Sequence, residues 1–148
     1  MSEQPTARVT WSPQPGWFDL VCVMTEGVLE NGGDEATAFL ASTGETLAMR
    51  YPLPASRTVQ DLEREMNLQL ARFNWGFVQL HPAENAIQIE HHALPAGLDT
   101  LPAERWRLAM GAVLGGLYAQ WLRDQGGSAA VPLTLENNNG STLLYRYQ

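Results

Sequence analysis

A single cysteine, nine basic side chains and three histidines in 148 residues leave little material for several kinds of chemistry. One thiol excludes an intramolecular disulfide. Set among Leu20, Val21 and Met24 on a helical pattern, Cys22 reads as a buried packing thiol. Nine Lys and Arg against sixteen Asp and Glu give a net charge of −7. Phosphate-binding surfaces need clustered basic residues, so nucleic acid is not an expected partner. No apolar run reaches the ~20 residues that span a bilayer, since the longest, residues 108–122, is about 15 residues and amphipathic. The start, MSEQPTAR, has no basic segment followed by an apolar one, which leads to the expectation of a cytoplasmic, soluble chain.

Catalytic signatures are missing too. The sequence holds no Gly-rich phosphate loop, CxxC, HExxH or GxSxG. The glycines of GAVLGG, residues 111–116, fall inside a helical pattern and not between a strand and a helix, so they do not make a nucleotide site. Sixteen acidic residues would allow a two-carboxylate mechanism, but nothing selects a pair. The expectation is a protein that is not an enzyme and carries no cofactor.

All three histidines lie in FNWGFVQLHPAENAIQIEHHALP, residues 73–95, together with Glu84 and Glu90. Val78, Leu80, Ile87 and Ile89 alternate with polar residues, the two-residue period of half-buried strands. With Pro82, Ala83, Glu84 and Asn85 as a four-residue turn, His81 would sit opposite Ala86, Leu80 opposite Ile87 and His91 opposite Gly76. His91 then shares the apolar face, whereas His81 and His92 point the other way, about six residues apart, or roughly 20 Å at ~3.3 Å per residue. Zinc ligands lie at about 2.0–2.1 Å from the ion, so no metal site is expected.

The rest of the chain reads as one domain with an arm. Residues 1–16 are polar and proline-rich, with Trp11 as their aromatic residue, and read as a flexible N-terminal arm; residues 17–148 form the domain. Trp17, Leu20, Val21, Met24 and Val28 mark one face of a first helix closed by Asn31-Gly32-Gly33. Asp34 caps a second helix carrying Ala36, Phe39, Leu40, Leu47 and Tyr51, which Pro52 and Pro54 stop. Thr58 and Asp61 resemble a capping box opening a third helix with Val59, Leu62, Met66, Leu70 and Phe73 inside.

Pro102 starts a long amphipathic fourth helix lined by Trp106, Met110, Val113, Leu114, Leu117 and Trp121. Gly111, Gly115 and Gly116 in its middle each cost roughly 1 kcal/mol relative to alanine, so close approach of another backbone, from the sheet or a second subunit, is expected to offset them. Val131, Leu133 and Leu135 then alternate, followed by Asn137-Asn138-Asn139-Gly140-Ser141 and a last strand from Thr142 to Tyr147. Pro132 places its strand at an edge or sits early in it. The order predicts an α+β fold with N-terminal helices, antiparallel hairpins of about four strands and one long amphipathic helix.

NWGFVQL (residues 74–80), preceded by LEREMNLQLARF and followed by LGGLYAQWL (residues 114–122), resembles the family formed by the D subunits of bacterial cellulose synthase. The likeness runs from about Trp17 to Tyr147 and departs from the family pattern at Gly115, where an acidic residue is expected. It implies a non-catalytic accessory subunit of the cellulose synthase complex. The implied form is a ring-like homo-octamer, built as a tetramer of dimers, that organises synthase units or guides β-1,4-glucan chains. Implied partners are other cellulose synthase subunits and a proline-rich cellulose-complementing protein. The arm matches segments that lie inside the ring, which makes Trp11 and Trp17 candidate glucan contacts and would put the protein on the periplasmic side of the inner membrane if glucan passes through it. Gly111, Gly115, Trp106, Leu117 and Trp121 are the candidate packing and assembly residues. The rival reading is a small-ligand-binding or sensing module without polymer contact.

Overall fold

The computed structural model describes residues 15–98, 100–127 and 131–148. The expected arm lies outside the described residues except for Pro15 and Gly16, and Trp11 lies outside them as well. Four helices and one antiparallel sheet make an α+β fold: α1 (Trp17–Asn31), α2 (Ala36–Arg50), α3 (Val59–Phe73), β1 (Phe77–Ala83), β2 (Ala86–His92), α4 (Ala103–Asp124), β3 (Leu133–Asn139) and β4 (Thr142–Tyr147). The strand order is β1-β2-β4-β3, with every neighbouring pair antiparallel.

Local sequence explains most boundaries. The Asp61 amide donates to Thr58 Oγ1 at 3.0 Å, which satisfies one of the free donors at the start of α3. Asn74 ends α3 in the left-handed conformation at φ 62°, a region asparagine tolerates better than most residues. Between α1 and α2 a 3-10 turn, Gly33–Glu35, absorbs Asp34, so α2 begins two residues after the expected cap.

The first hairpin corrects the expected register. Its turn is two residues, Glu84-Asn85, and Ala83 pairs with Ala86, so His81 lies opposite Gln88, Leu80 opposite Ile89 and Val78 opposite His91. Pro82 and Ala83 are strand residues. Because β1 is an edge strand, a residue without an N–H is tolerated there. The shift is two residues, an even number, so each side chain keeps its expected face: Val78, Leu80, Ile89 and His91 are buried, and His81 is exposed.

Both edges of the sheet are protected, by different means. On β1 the Val78 N–H donates to Asn67 Oδ1 at 2.7 Å, Asn67 Nδ2 donates to the Val78 carbonyl at 3.0 Å, and the Leu80 N–H donates to Glu63 Oε2 at 2.7 Å. Side chains of α3 thus stand in for a further strand. On β3 a register shift between Leu135 and Asn137 bulges out the acidic Glu136, a device that discourages strand addition. Pro132 immediately precedes this edge strand.

The core lies between the helices and the inner sheet face, where Met66, Leu70, Leu114, Leu117 and Trp121 meet Val78, Ile89, Leu143 and Tyr145. Its buried indoles are satisfied: Trp106 Nε1 donates to the Pro95 carbonyl at 2.7 Å and Trp121 Nε1 to the Tyr51 carbonyl at 3.0 Å. α4 forms the middle layer. On one side it crosses α2 with backbones in contact, since a methyl group at Gly44 would fall on the Val113 carbonyl and one at Gly116 on the Ala41 carbonyl. The buried stripe of α2 is accordingly Ala36, Leu40, Gly44 and Ala48, while Phe39 is left exposed. Arg123 Nη2 and Glu45 Oε2, 3.0 Å apart, tie the same two helices. On the other side of α4, Gly111 and Gly115 meet side chains: a Cβ at Gly111 would lie 3.3 Å from Leu135 Cδ2, and one at Gly115 would lie 3.4 Å from Tyr145 Cε1.

These geometries separate adjacent glycines. Gly116→Ala must push α2 and α4 apart and should destabilise the fold by about 2–3 kcal/mol. Gly115→Ala meets only an ordinary contact and gains helix propensity, so it should be neutral or stabilising by up to about 1 kcal/mol. Urea unfolding of both variants measures the difference, and equal losses would contradict the close crossing.

Candidate assembly interface

α1 is apolar around most of its circumference. Cys22 is buried and Phe18 packs edge-on against Trp106 with ring centroids 5.6 Å apart. The remaining apolar positions face outward: Trp17 is 84% exposed, Val23 66% and Met24 60%, with Leu20 and Val21 also exposed. The helix begins where Asp19 Oδ2 accepts from the Gly16 N–H at 2.8 Å. A groove between α1 and α2 continues the apolar surface, lined by Met24, Val28, Ala36 and Phe39, the last 59% exposed. Large contiguous apolar patches are uncommon on monomers and mark contact surfaces.

The sequence-predicted site residues divide between this surface and the core. Trp17 stands at the exposed head of α1, whereas Trp106, Leu117 and Trp121 are buried in the interior of the chain. Gly111 and Gly115 border a second groove, between α4 and β3. Val23, Met49 and the crossing glycine Gly44 were not singled out by periodicity, whereas Phe39 was counted among the apolar residues of the second helix and is exposed. One signal was available: α1 carries Trp17, Phe18, Leu20, Val21, Cys22, Val23 and Met24, more apolar residues than one helical stripe can hold.

The histidines are arranged differently from the expected separation. His81 Nε2 is hydrogen-bonded to Glu90 Oε1 at 3.2 Å, and His92 Nε2 lies 3.1 Å from the same oxygen. The roughly 20 Å estimate fails because the corrected register brings His81 beside Gln88, and all three side chains lean together on the outer face of the sheet. Glu90 is held below the usual carboxylate range, first by the hydrogen bond from His81 and then by His92. Among the described residues, no group of three or more His, Cys, Asp or Glu is disposed to hold a metal ion.

His91 is fully buried and bonded at both ring nitrogens. A carbonyl can only accept, so Nε2 carries the proton and donates to the Trp75 carbonyl at 2.7 Å. Nδ1 then accepts from the Tyr118 hydroxyl at 2.5 Å. Tyr145 donates to the Gly111 carbonyl at 2.6 Å. Burial raises both phenols, so they remain donors, and burial lowers His91 to about 4. This network joins β2 and β4 to α4.

Residues 4–148 match the family model for the D subunit of cellulose synthase. The chain belongs to the cellulose synthase D-subunit family. Proteins named cellulose synthase operon protein D from Komagataeibacter xylinus and Komagataeibacter sucrofermentans are each 37% identical to it over 92 residues, which cover 60% of this chain and 57% of theirs. Another of that name from Komagataeibacter xylinus is 35% identical over 92 residues. The matched segment therefore spans little more than half the length of these relatives. No helix among the described residues is long and apolar enough to cross a membrane.

The buried imidazole of this family member makes stability depend on pH. Its unfolded value is 6.5 and its folded value about 4, so the unfolded chain takes up the proton first as pH falls. The contribution of His91 should be complete above about pH 6.5 and decline by roughly 3 kcal/mol towards pH 4. A variant with His91→Gln should lose stability at neutral pH but show a flatter profile across that window. An unchanged slope would contradict a buried neutral imidazole.

Proposed function

We propose that this chain is a non-catalytic accessory subunit of a cellulose-synthesising complex. In this reading, copies of it associate through α1 into a ring-like homo-oligomer that organises synthase units or glucan chains for ordered fibril formation. The observation that carries the reading is the outward apolar face of α1, with Trp17, Val21, Val23 and Met24 exposed and the α1–α2 groove beside it. Burying a large apolar side chain contributes roughly 1.5–3 kcal/mol, so several such residues meeting their equivalents give a substantial driving force. An isologous contact of this kind makes a dimer, and a second contact closes dimers into a ring. An octamer, a tetramer of dimers, satisfies that logic and agrees with the family resemblance.

Family membership and the relatives' name support the link to cellulose synthesis. A small-ligand module is less well supported, because the grooves of the described surface are open to solvent rather than enclosed. Other cellulose synthase subunits are the proposed partners of the assembled ring's outer surface.

The test uses Val21→Glu combined with Met24→Glu, which places charge at two exposed positions and spares the core. Light scattering should show the wild type at a multiple of 16.4 kDa and the variant at or near a single chain, with helical content retained. Cells whose native copy is replaced by the variant should make cellulose of reduced fibril order. A wild-type mass of one chain, or full fibril order with the dissociated variant, would overturn the reading.

A further inference from the structure

Unpaired hydrogen-bond donors gather at the end of the molecule where α2 and α3 finish. The ring of Tyr51, just past α2, meets that of Phe73, the last residue of α3, edge-on with centroids 5.1 Å apart, and Phe73 meets Trp75 at 4.8 Å. The backbone of this aromatic strip is held: the Tyr51 carbonyl accepts from Trp121 and the Trp75 carbonyl from His91. Its polar tips are not. Among the described residues neither the Tyr51 hydroxyl nor the Trp75 indole N–H has a hydrogen-bond partner, unlike the phenols of Tyr118 and Tyr145. Arg50 and Arg72, next to Tyr51 and Phe73 in sequence, are exposed and have no carboxylate partner there; Arg72 meets only the Gln69 amide oxygen, at 3.3 Å.

The opposite end of α2 carries the complementary chemistry. Glu30 near the end of α1, and Asp34 and Glu35 in the turn before α2, are exposed and have no ion-pair partner among the described residues. α2 is 15 residues long, so the two ends lie roughly 22 Å apart at ~1.5 Å per residue. The helix macrodipole favours acids before α2 and a base at its end, which accounts for the signs of the charges. It does not account for an indole N–H and a phenol left without acceptors beside two guanidinium groups.

Guanidinium and indole N–H groups donate and cannot accept, so this end selects an occupant rich in acceptors. Arg, Tyr and Trp are also the residues that dominate contact energies between proteins. We propose that the Arg50–Tyr51–Arg72–Trp75 end of one copy docks on the acidic tip of a second copy, formed by Glu30, Asp34 and Glu35. This rests on the assembly reading above and supplies the second contact that a ring of α1 dimers needs. Because the two patches sit at opposite ends of one helix, the contact is heterologous: each copy gives its acidic tip to one neighbour and receives the tip of another. Such contacts run head to tail around a ring, whereas the α1 contact is isologous and holds each dimer together.

Two charge reversals in the full chain test the contact: Arg50→Glu with Arg72→Glu, and Glu30→Arg with Asp34→Arg and Glu35→Arg. All five positions are exposed, so the core is spared. Light scattering should find each variant alone at about one quarter of the wild-type mass, that of the α1 dimer, with helical content retained. An equal mixture of the two should regain the wild-type mass, because every reversed end then meets a complementary one; a damaged fold would not be rescued by mixing. Unchanged mass in either variant, or a mixture that stays dissociated, overturns the head-to-tail contact. A wild-type particle of two chains that Val21→Glu with Met24→Glu splits overturns it too and leaves the α1 contact standing, whereas a wild-type mass of one chain removes both.

Discussion

The backbone contact between α2 and α4 at Gly44 and Gly116 fixes the rest of the structure. Two helices can approach this closely only where neither carries a side chain, and each glycine here abuts a carbonyl of the other helix. The close crossing makes α4 a middle layer, with α2 on one side and the sheet on the other. Gly111 and Gly115 then leave room for Leu135 and Tyr145 on the sheet side. The helix-propensity cost of several interior glycines is offset by the packing they permit on two opposite sides.

That arrangement also determines what is left outside. With α4 occupied by α2 and by the sheet, α1 reaches the core through Phe18 and Cys22, and nothing among the described residues covers the remainder of its apolar surface. The exposed face of α1 is thus a consequence of how the core is filled. The buried network of His91, Trp75 and Tyr118, with Tyr145 bonded to Gly111, locks the central strands to α4 on the other side. A rigid chain with one apolar helix left uncovered by the described residues would lose little conformational entropy if copies met there.

Much of the fold could be read from periodicity. The helical stripe of α3 and its Thr58 cap, the alternation of β1 and β2, and the long amphipathic α4 follow from local pattern and are found at the expected places. The hairpin register was less legible because Pro82 and Ala83 are turn formers by composition, whereas an edge strand accepts them. That two-residue shift preserves faces and so left the burial of His91 unaffected, but it changes distances along the ribbon, which is why His81 and His92 meet at Glu90. Gly44 was not visible as a crossing point, since closeness between helices depends on a partner distant in sequence. The outward face of α1 was legible as an apolar stripe and illegible as a surface: periodicity says that a side is apolar and does not say what covers it.

The central claim, that α1 is covered by another copy, is most directly tested by hydrogen–deuterium exchange of the α1 amides as a function of protein concentration. If copies cover α1, its amides should be well protected in concentrated protein and exchange progressively faster on dilution, while α4 amides stay protected throughout. Exchange in α1 that is the same at every concentration, in a protein sedimenting as one chain of 16.4 kDa, would contradict the account.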